Sequence, residues 1–158
     1  MHQETARDVH WLRMAIALSQ QARAAGDEPF GALLVGAGGV LLAQERNSVV
    51  TDRDVSAHPE LKLAVWAGRN LDPEVARLTT MYTSCENCAM CAAAMVWANL
   101  GTLVYSLSGT SLTELQGPRH TTMTIRAREI FLHTSRPVEV RGPLIEEEAR
   151  AVHAGYWA

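Results

Sequence analysis

The chain has 158 residues, is 47% hydrophobic and carries a formal net charge of -3. These values fit one globular domain, residues 1–158, able to bury about two-thirds of its unfolded surface. So small a charge, with no long basic run, excludes the electrostatic footprint of a nucleic-acid or anionic-membrane binder and leaves small, weakly charged or neutral substrates.

The opening MHQETARDVH has polar and acidic residues where a signal peptide carries a basic stretch and a continuous apolar run, which argues against secretion. From Asp8 to Ala24 the spacing of Leu12, Ala15, Ile16 and Ala22 predicts a helix that ends near Gly26. GALLVG (31–36) and VLLAQ (40–44) read as strands, and the AGG between them as a hairpin turn. HPELKLAVWAGRN (58–70) reads as a helix whose charges after Glu60 are Lys62 and Arg69, so most of its circumference is expected to be covered. LTTMYTS (78–84), CAMCAAAMVWANL (88–100) and TLVYSLS (102–108) form a strand, a helix and a strand. Such a unit defaults to parallel pairing through a right-handed crossover, with strands buried on both faces. No charge falls between Asn87 and Thr113, but the unbroken apolar run stops at Asn99, too short for a membrane span, and reads as buried core. A strand around PVEVRGPL (137–144) and a last helix from about Ile145, with Ile145, Ala149, Val152 and Tyr156 on one stripe, complete a three-layer α/β domain.

All three cysteines lie in SCENCAMC (84–91), which reads as two overlapping CxxC pairs. Clustered cysteines without an export signal point to reduced thiols and to metal or redox chemistry. In a helix starting near Cys88, residues three apart share a face, so Cys88 and Cys91 can reach one ion. Cys85, at the end of the preceding strand, cannot share that geometry. The helix N-terminus favours thiolate, and Asn87 is the expected N-cap. A further ligand must come from His2, His10, His58, His120, His133 or His153. His58 stands out because Pro59 suits a first helical turn and holds His58 extended, with Glu60 beside whatever it binds. One histidine and two cysteines leave a tetrahedral zinc one position short, as in catalytic sites that keep room for water. A thioredoxin-like pair is the rival for the cysteines, but it leaves His58 and Glu60 unexplained. A closed structural zinc would need a fourth ligand such as Cys85.

His58-Pro59-Glu60 and Asn87-Cys88-Ala89-Met90-Cys91 resemble the HxE and PCxxC motifs of the cytidine deaminase-like zinc deaminases, and the resemblance runs from about Pro29 to Ser108. Within that superfamily Pro29-Phe30-Gly31, Asn47, MYTSCENCAMC and Val96-Trp97-Ala98 are most similar to the guanine and cytosine deaminase branch. Pro59 stands where alanine is usual, and Asn87 where proline is usual; both suit a helix start and bear on substrate more than on chemistry. The resemblance implies an α/β/α fold around a mixed sheet of about five strands. It also implies one Zn2+ per chain on His58, Cys88 and Cys91, with a bound water or hydroxide. Glu60 is then the catalytic residue, taking a proton from water, passing it to the ring nitrogen and later protonating the leaving amine. Read alone, Glu60 is an acidic first-turn residue on a helix dipole.

Asn47 resembles the asparagine that contacts substrate in those enzymes; read alone it is a turn residue. Phe30 is a candidate pocket wall, Trp97 a core residue that also touches the pocket, and Glu129 a second carboxylate for a purine-type edge or else a solvated charge. By resemblance Tyr156 and Trp157, in a C-terminal helix over about 145–158, close the active site, in some relatives over a partner subunit's pocket; plain packing on the core is the alternative. The expected function is hydrolytic release of ammonia from a small nucleobase or base-like ring, guanine-type ahead of cytosine or cytidine. A tRNA adenosine deaminase is a rival, opposed by the lack of a basic surface signature and by Glu146, Glu147 and Glu148. A non-catalytic zinc-stabilised binding protein is another. The expected setting is a cytoplasmic homodimer that takes a small-molecule base or nucleoside and contacts neither membrane nor nucleic acid.

Overall fold

The computed structural model describes residues 3–158, so His2 lies outside the described residues. In chain order the elements are α1 (Gln3–Ala24), β1 (Gly31–Gly36), β2 (Val40–Arg46), α2 (Val49–Asp52), α3 (Pro59–Asn70), α4 (Pro73–Arg77), β3 (Thr80–Cys85), α5 (Ala89–Trp97), β4 (Thr102–Leu107), α6 (Gly109–Gln116), α7 (Ala127–Phe131), β5 (Glu139–Arg141) and α8 (Glu146–Val152).

The five strands form one sheet in the order β2-β1-β3-β4-β5. β1 pairs antiparallel with β2 and with β3, while β3–β4 and β4–β5 are parallel, so the sheet is mixed. Strand alternation decides the layers. Ala32, Leu34, Met81, Leu103 and Tyr105 meet Leu63 and Ala67 of α3, Ala92 and Met95 of α5 and Phe131 of α7. Leu33, Val35, Tyr82 and Val104 point the other way, onto Leu12, Ala15 and Leu18 of α1. Full burial of each such aliphatic side chain contributes about 1.5–3 kcal/mol, and β3 and β4 are buried on both faces as parallel strands require. A Cβ on Gly31 would come within 2.5 Å of the Ala15 carbonyl and of Leu18, so glycine lets β1 lie directly on α1. A third cluster, Ile16, Cys85, Leu107, Ala149 and Val152, closes the C-terminal ends of β3 and β4. Open α/β sheets place their ligand sites at this end.

Four expectations change. Asn87 does not cap α5: Cys88 is the N-cap, and Asn87 is buried with its Nδ2 3.1 Å from Met95 Sδ. Its Oδ1 has no partner among the described residues, and an unpaired buried acceptor costs about 1–3 kcal/mol. Trp97 is 89% exposed rather than core, because α5 turns Cys91, Ala92 and Met95 inward and Trp97 falls on the opposite side. Helix α3 buries Leu63, Ala64 and Ala67 but leaves Val65, Gly68 and Arg69 exposed, so it is covered along one face only. The last helix ends at Val152, and Gly155 at φ 70 turns Tyr156 off the stripe that begins at Ile145.

Candidate active site

Two helix starts meet at one point. His58 is the N-cap of α3 in extended conformation (φ -76, ψ 138) with Pro59 behind it, and Cys88 is the N-cap of α5, one turn before Cys91. His58 Nδ1 lies 3.7 Å from Cys88 Sγ and 3.5 Å from Cys91 Sγ, and the three ligand atoms fall within 4.8 Å of one another. A tetrahedral zinc with bonds of about 2.0–2.1 Å to nitrogen and 2.3 Å to sulfur separates those atoms by about 3.6 Å, so the donor set fits that ion. Its electrostatics fit as well. The Cys91 thiol, with help from His58, holds the Cys88 sulfur down at about 4, while Cys91 is pushed up as the donor in that hydrogen bond and by burial. The same Cys88 contact raises His58 against the effect of burial. A bound cation displaces these protons, since thiolate and neutral imidazole are the ligating forms. Cys85 stands outside the group; it is a buried free thiol whose pKa burial pushes up.

Glu60 sits one residue beyond Pro59 and is 5% exposed. Its Oε1 accepts from the Thr83 hydroxyl at 2.7 Å, and its Oε2 is 3.9 Å from Cys91 Sγ. Burial raises its pKa, opposed by the Thr83 hydrogen bond. His58, Glu60, Cys85 and Cys88 open into a cleft of about 550 Å³ walled by Phe30, by Leu112, Thr113 and Gln116 of α6, and by Thr121, Thr122, Met123, Ile125 and Arg126. This is the size of a small-molecule site. A second groove of about 420 Å³ between β2 and α3, lined among others by Glu45, Lys62 and Trp66, has no histidine or cysteine in its wall.

The sequence pattern of the cytidine and deoxycytidylate deaminase zinc-binding region matches residues 5–107. The chain belongs to this deaminase family. A probable cytosine deaminase of Schizosaccharomyces pombe is 36% identical over 156 residues, covering 96% of this chain and 93% of the relative. The guanine deaminase of Bacillus subtilis is 33% identical over 105 residues, covering 66% and 67%. A solved structure of a mutant protein in complex with 8-azaguanine superposes with a TM-score of 0.79 at 25% identity, covering 92% of this chain and 81% of that one.

The deaminase arranges the other expected site residues unevenly. Phe30 lines the cleft. Asn47 is fully buried beside it, with its Oδ1 accepting from Val49 N at 3.0 Å and its Nδ2 donating to Glu28 Oε2 at 3.3 Å. Glu129 does not reach the cleft: its carboxylate accepts from Arg126 N and caps α7, the short-range partner that a first-turn glutamate finds most readily. Trp97 is on the far face of α5. The sequence reading missed Glu28, Thr83 and Glu86. Thr83 was legible by strand alternation, two residues from Cys85. Glu86 accepts from Gly109 N at 2.8 Å and from Ala127 N at 3.2 Å, tying α6 and α7 into the cleft wall, and nothing local in the sequence announces those partners.

Tyr156 and Trp157 sit behind the cleft wall and do not line it. Trp157 Nε1 donates to His153 Nδ1 at 3.0 Å, with its ring 6.1 Å from Phe30 and 5.3 Å from His120. Arg23 lies 5.7 Å over the Tyr156 ring. Removing Gly155 to Ala158 is therefore expected to leave a folded, zinc-loaded deaminase with kcat/KM reduced about tenfold, through loss of support for Phe30; an unchanged kcat/KM would show that the tail supports nothing in the cleft. His153 is buried, and desolvation lowers its pKa from 6.5 to about 4. The unfolded chain takes up this proton near pH 6.5 and the native state does not. Stability should therefore fall as pH drops from about 6.5 to 4, by up to about 1.4 kcal/mol per unit. Melting curves should show a smaller acid loss for His153→Gln than for the parent protein.

Proposed function

We propose that this chain is a hydrolytic deaminase of a free nucleobase, using one Zn2+ held by His58, Cys88 and Cys91 with a water as the fourth ligand. One observation carries the reading: the His58, Cys88 and Cys91 donor group, with His58 and Cys88 in the cleft lining, lies beside a buried carboxyl in the same lining. When bound, zinc lowers the pKa of a water from about 15.7 to near 7 and so supplies hydroxide at neutral pH. Glu60 takes one proton from the attacking water and delivers it to the ring nitrogen beside the reacting carbon, where it stays; it then takes the second proton from the hydroxyl now on that carbon and delivers it to the departing amine. A C–O bond forms, a C–N bond breaks, and ammonia leaves. Thr83 keeps the carboxylate in place for both transfers.

Cytosine moves ahead of guanine as the proposed substrate. The probable cytosine deaminase aligns over 156 residues and 96% of this chain, and so through the α6 wall and the 117–126 loop that line the cleft. The guanine deaminase alignment spans 105. Guanine is the second reading, supported by the neighbour in complex with 8-azaguanine. Ammonia release across cytosine, guanine, their nucleosides, triazine bases and tRNA tests the reading. Turnover of a free base above its nucleoside is expected; faster deamination of tRNA, or zinc-loaded protein that releases no ammonia from any of these compounds, overturns it.

A cytoplasmic homodimer fits this reading. All three cysteines are free, and no helix among the described residues is long and apolar enough to cross a membrane. Helices α3 and α5 pack side by side and leave Val65 43% and Trp97 89% exposed, apolar side chains that a second copy would cover. Trp97→Asp should shift the protein from dimer to monomer in sedimentation velocity. A Trp97→Asp dimer of parental strength would put the interface elsewhere.

A further inference from the structure

The cleft holds three carboxylates, and two of them are already committed. Both Glu86 oxygens accept backbone N–H groups, from Gly109 and Ala127. Glu60 is held by Thr83 on one oxygen and faces Cys91 with the other. Glu28 differs. It is half-buried in the cleft lining, its Oε2 accepts from Asn47 Nδ2 at 3.3 Å, and its Oε1 meets no donor among the described residues. No lysine or arginine among the described residues pairs with it. The cation of the same wall, Arg126, is turned to Thr113 and to the Met123 carbonyl. Asn47 is itself fully buried and its Oδ1 accepts from Val49 N, which leaves its Nδ2 directed at Glu28. A carboxylate fixed on one oxygen and unpartnered on the other, in the wall of a ligand cleft, is an acceptor awaiting an N–H group.

Resting on the deaminase reading above, we infer that Glu28 is the specificity-determining residue of this cleft and accepts the ring N–H that a free base carries where a nucleoside carries its sugar. That group is N1–H in cytosine and N9–H in guanine. Glycosylation or methylation removes the donor and puts bulk against a half-buried anion, so the carboxylate selects free bases twice over: by a hydrogen bond and by exclusion. A site built to hydrogen-bond a substrate N–H rejects the analogue lacking it far more strongly than an apolar pocket rejects an extra methyl group. Asn47 then acts through Glu28, as a positioning residue.

The test crosses the two deletions. kcat/KM is measured for cytosine and 1-methylcytosine, and for guanine and 9-methylguanine, with the parent protein, Glu28→Gln and Glu28→Ala, zinc content and melting temperature being followed throughout. Loss of a hydrogen bond to a charged group should lower kcat/KM for the free base by about tenfold to hundredfold in both variants. The methylation penalty, large in the parent protein, should collapse toward unity in Glu28→Ala, where donor and acceptor are both gone and the methyl group has space. Equilibrium binding of the same pairs to Glu60→Gln protein, with and without Glu28→Ala, should show the same coupling without turnover. Should Glu28→Ala fail to fold, Glu28→Gln alone must still lower the free base selectively. A methylation penalty of the same size with and without Glu28 overturns this inference and leaves the deaminase reading intact. A protein that deaminates neither base overturns both.

Discussion

Glu60→Gln protein should fold, load zinc and bind substrate like the parent, yet turn over about 10⁴-fold more slowly. The two side chains have nearly the same shape, so the introduced amide can still accept from the Thr83 hydroxyl and fill the space beside Cys91. What disappears is the exchangeable proton site. A positioned acid–base group contributes about 10²- to 10⁴-fold, and one that serves the water, the ring nitrogen and the leaving amine in turn belongs at the upper end. Glu60 is buried, so solvent does not readily replace the lost proton carrier. Single-turnover kinetics on zinc-loaded protein check this. Turnover within tenfold of the parent would remove Glu60 from the proton path.

Loss of any one metal ligand should have an effect at least as large. Cys88→Ser, Cys91→Ser and His58→Ala proteins should retain little zinc and no measurable deaminase activity, because each leaves two donors where three protein ligands are the minimum for a catalytic zinc. Their melting temperatures should also fall, since ligand binding to the native state contributes directly to stability and the vacated helix starts would keep a thiol or imidazole with no counter-charge. Cys85→Ser is the contrast. Cys85 packs in the cluster with Ile16 and Leu107 and belongs to no donor group, so the variant should keep its zinc. Metal analysis of the four proteins side by side decides the matter: a Cys85 requirement equal to that of Cys88 would mean a closed four-ligand site.

Much of this protein follows from its sequence alone. The α/β/α layering, the β3-α5-β4 unit, the reduced cysteines and the pairing of His58 with Cys88 and Cys91 were all readable there. The reason is physical: each rests on short-range constraints, such as strand and helix periodicity, proline at a helix start, and donor spacing along one helical turn. Asn87 and Trp97 were misread, and Glu129, Tyr156 and Trp157 fall outside the cleft lining, because partners met in the folded chain decided what each side chain faces. Helix α5 chose its buried face from what β3 and α3 offered, and this sent Trp97 outward and Asn87 inward. Glu129 settled on the backbone three residues before it, and Gly155 turned the tail away from the stripe that periodicity had drawn. Only the tertiary structure decided which carboxylates share the cleft: Glu28 and Glu86 owe their positions to Asn47, Gly109 and Ala127, residues 19 to 41 positions away in the chain. No periodicity links such residues. They meet because β1 runs antiparallel to β3 in the middle of the sheet, which brings the loop before β1 and the turn after β3 to the same end of the strands, where α3 also starts.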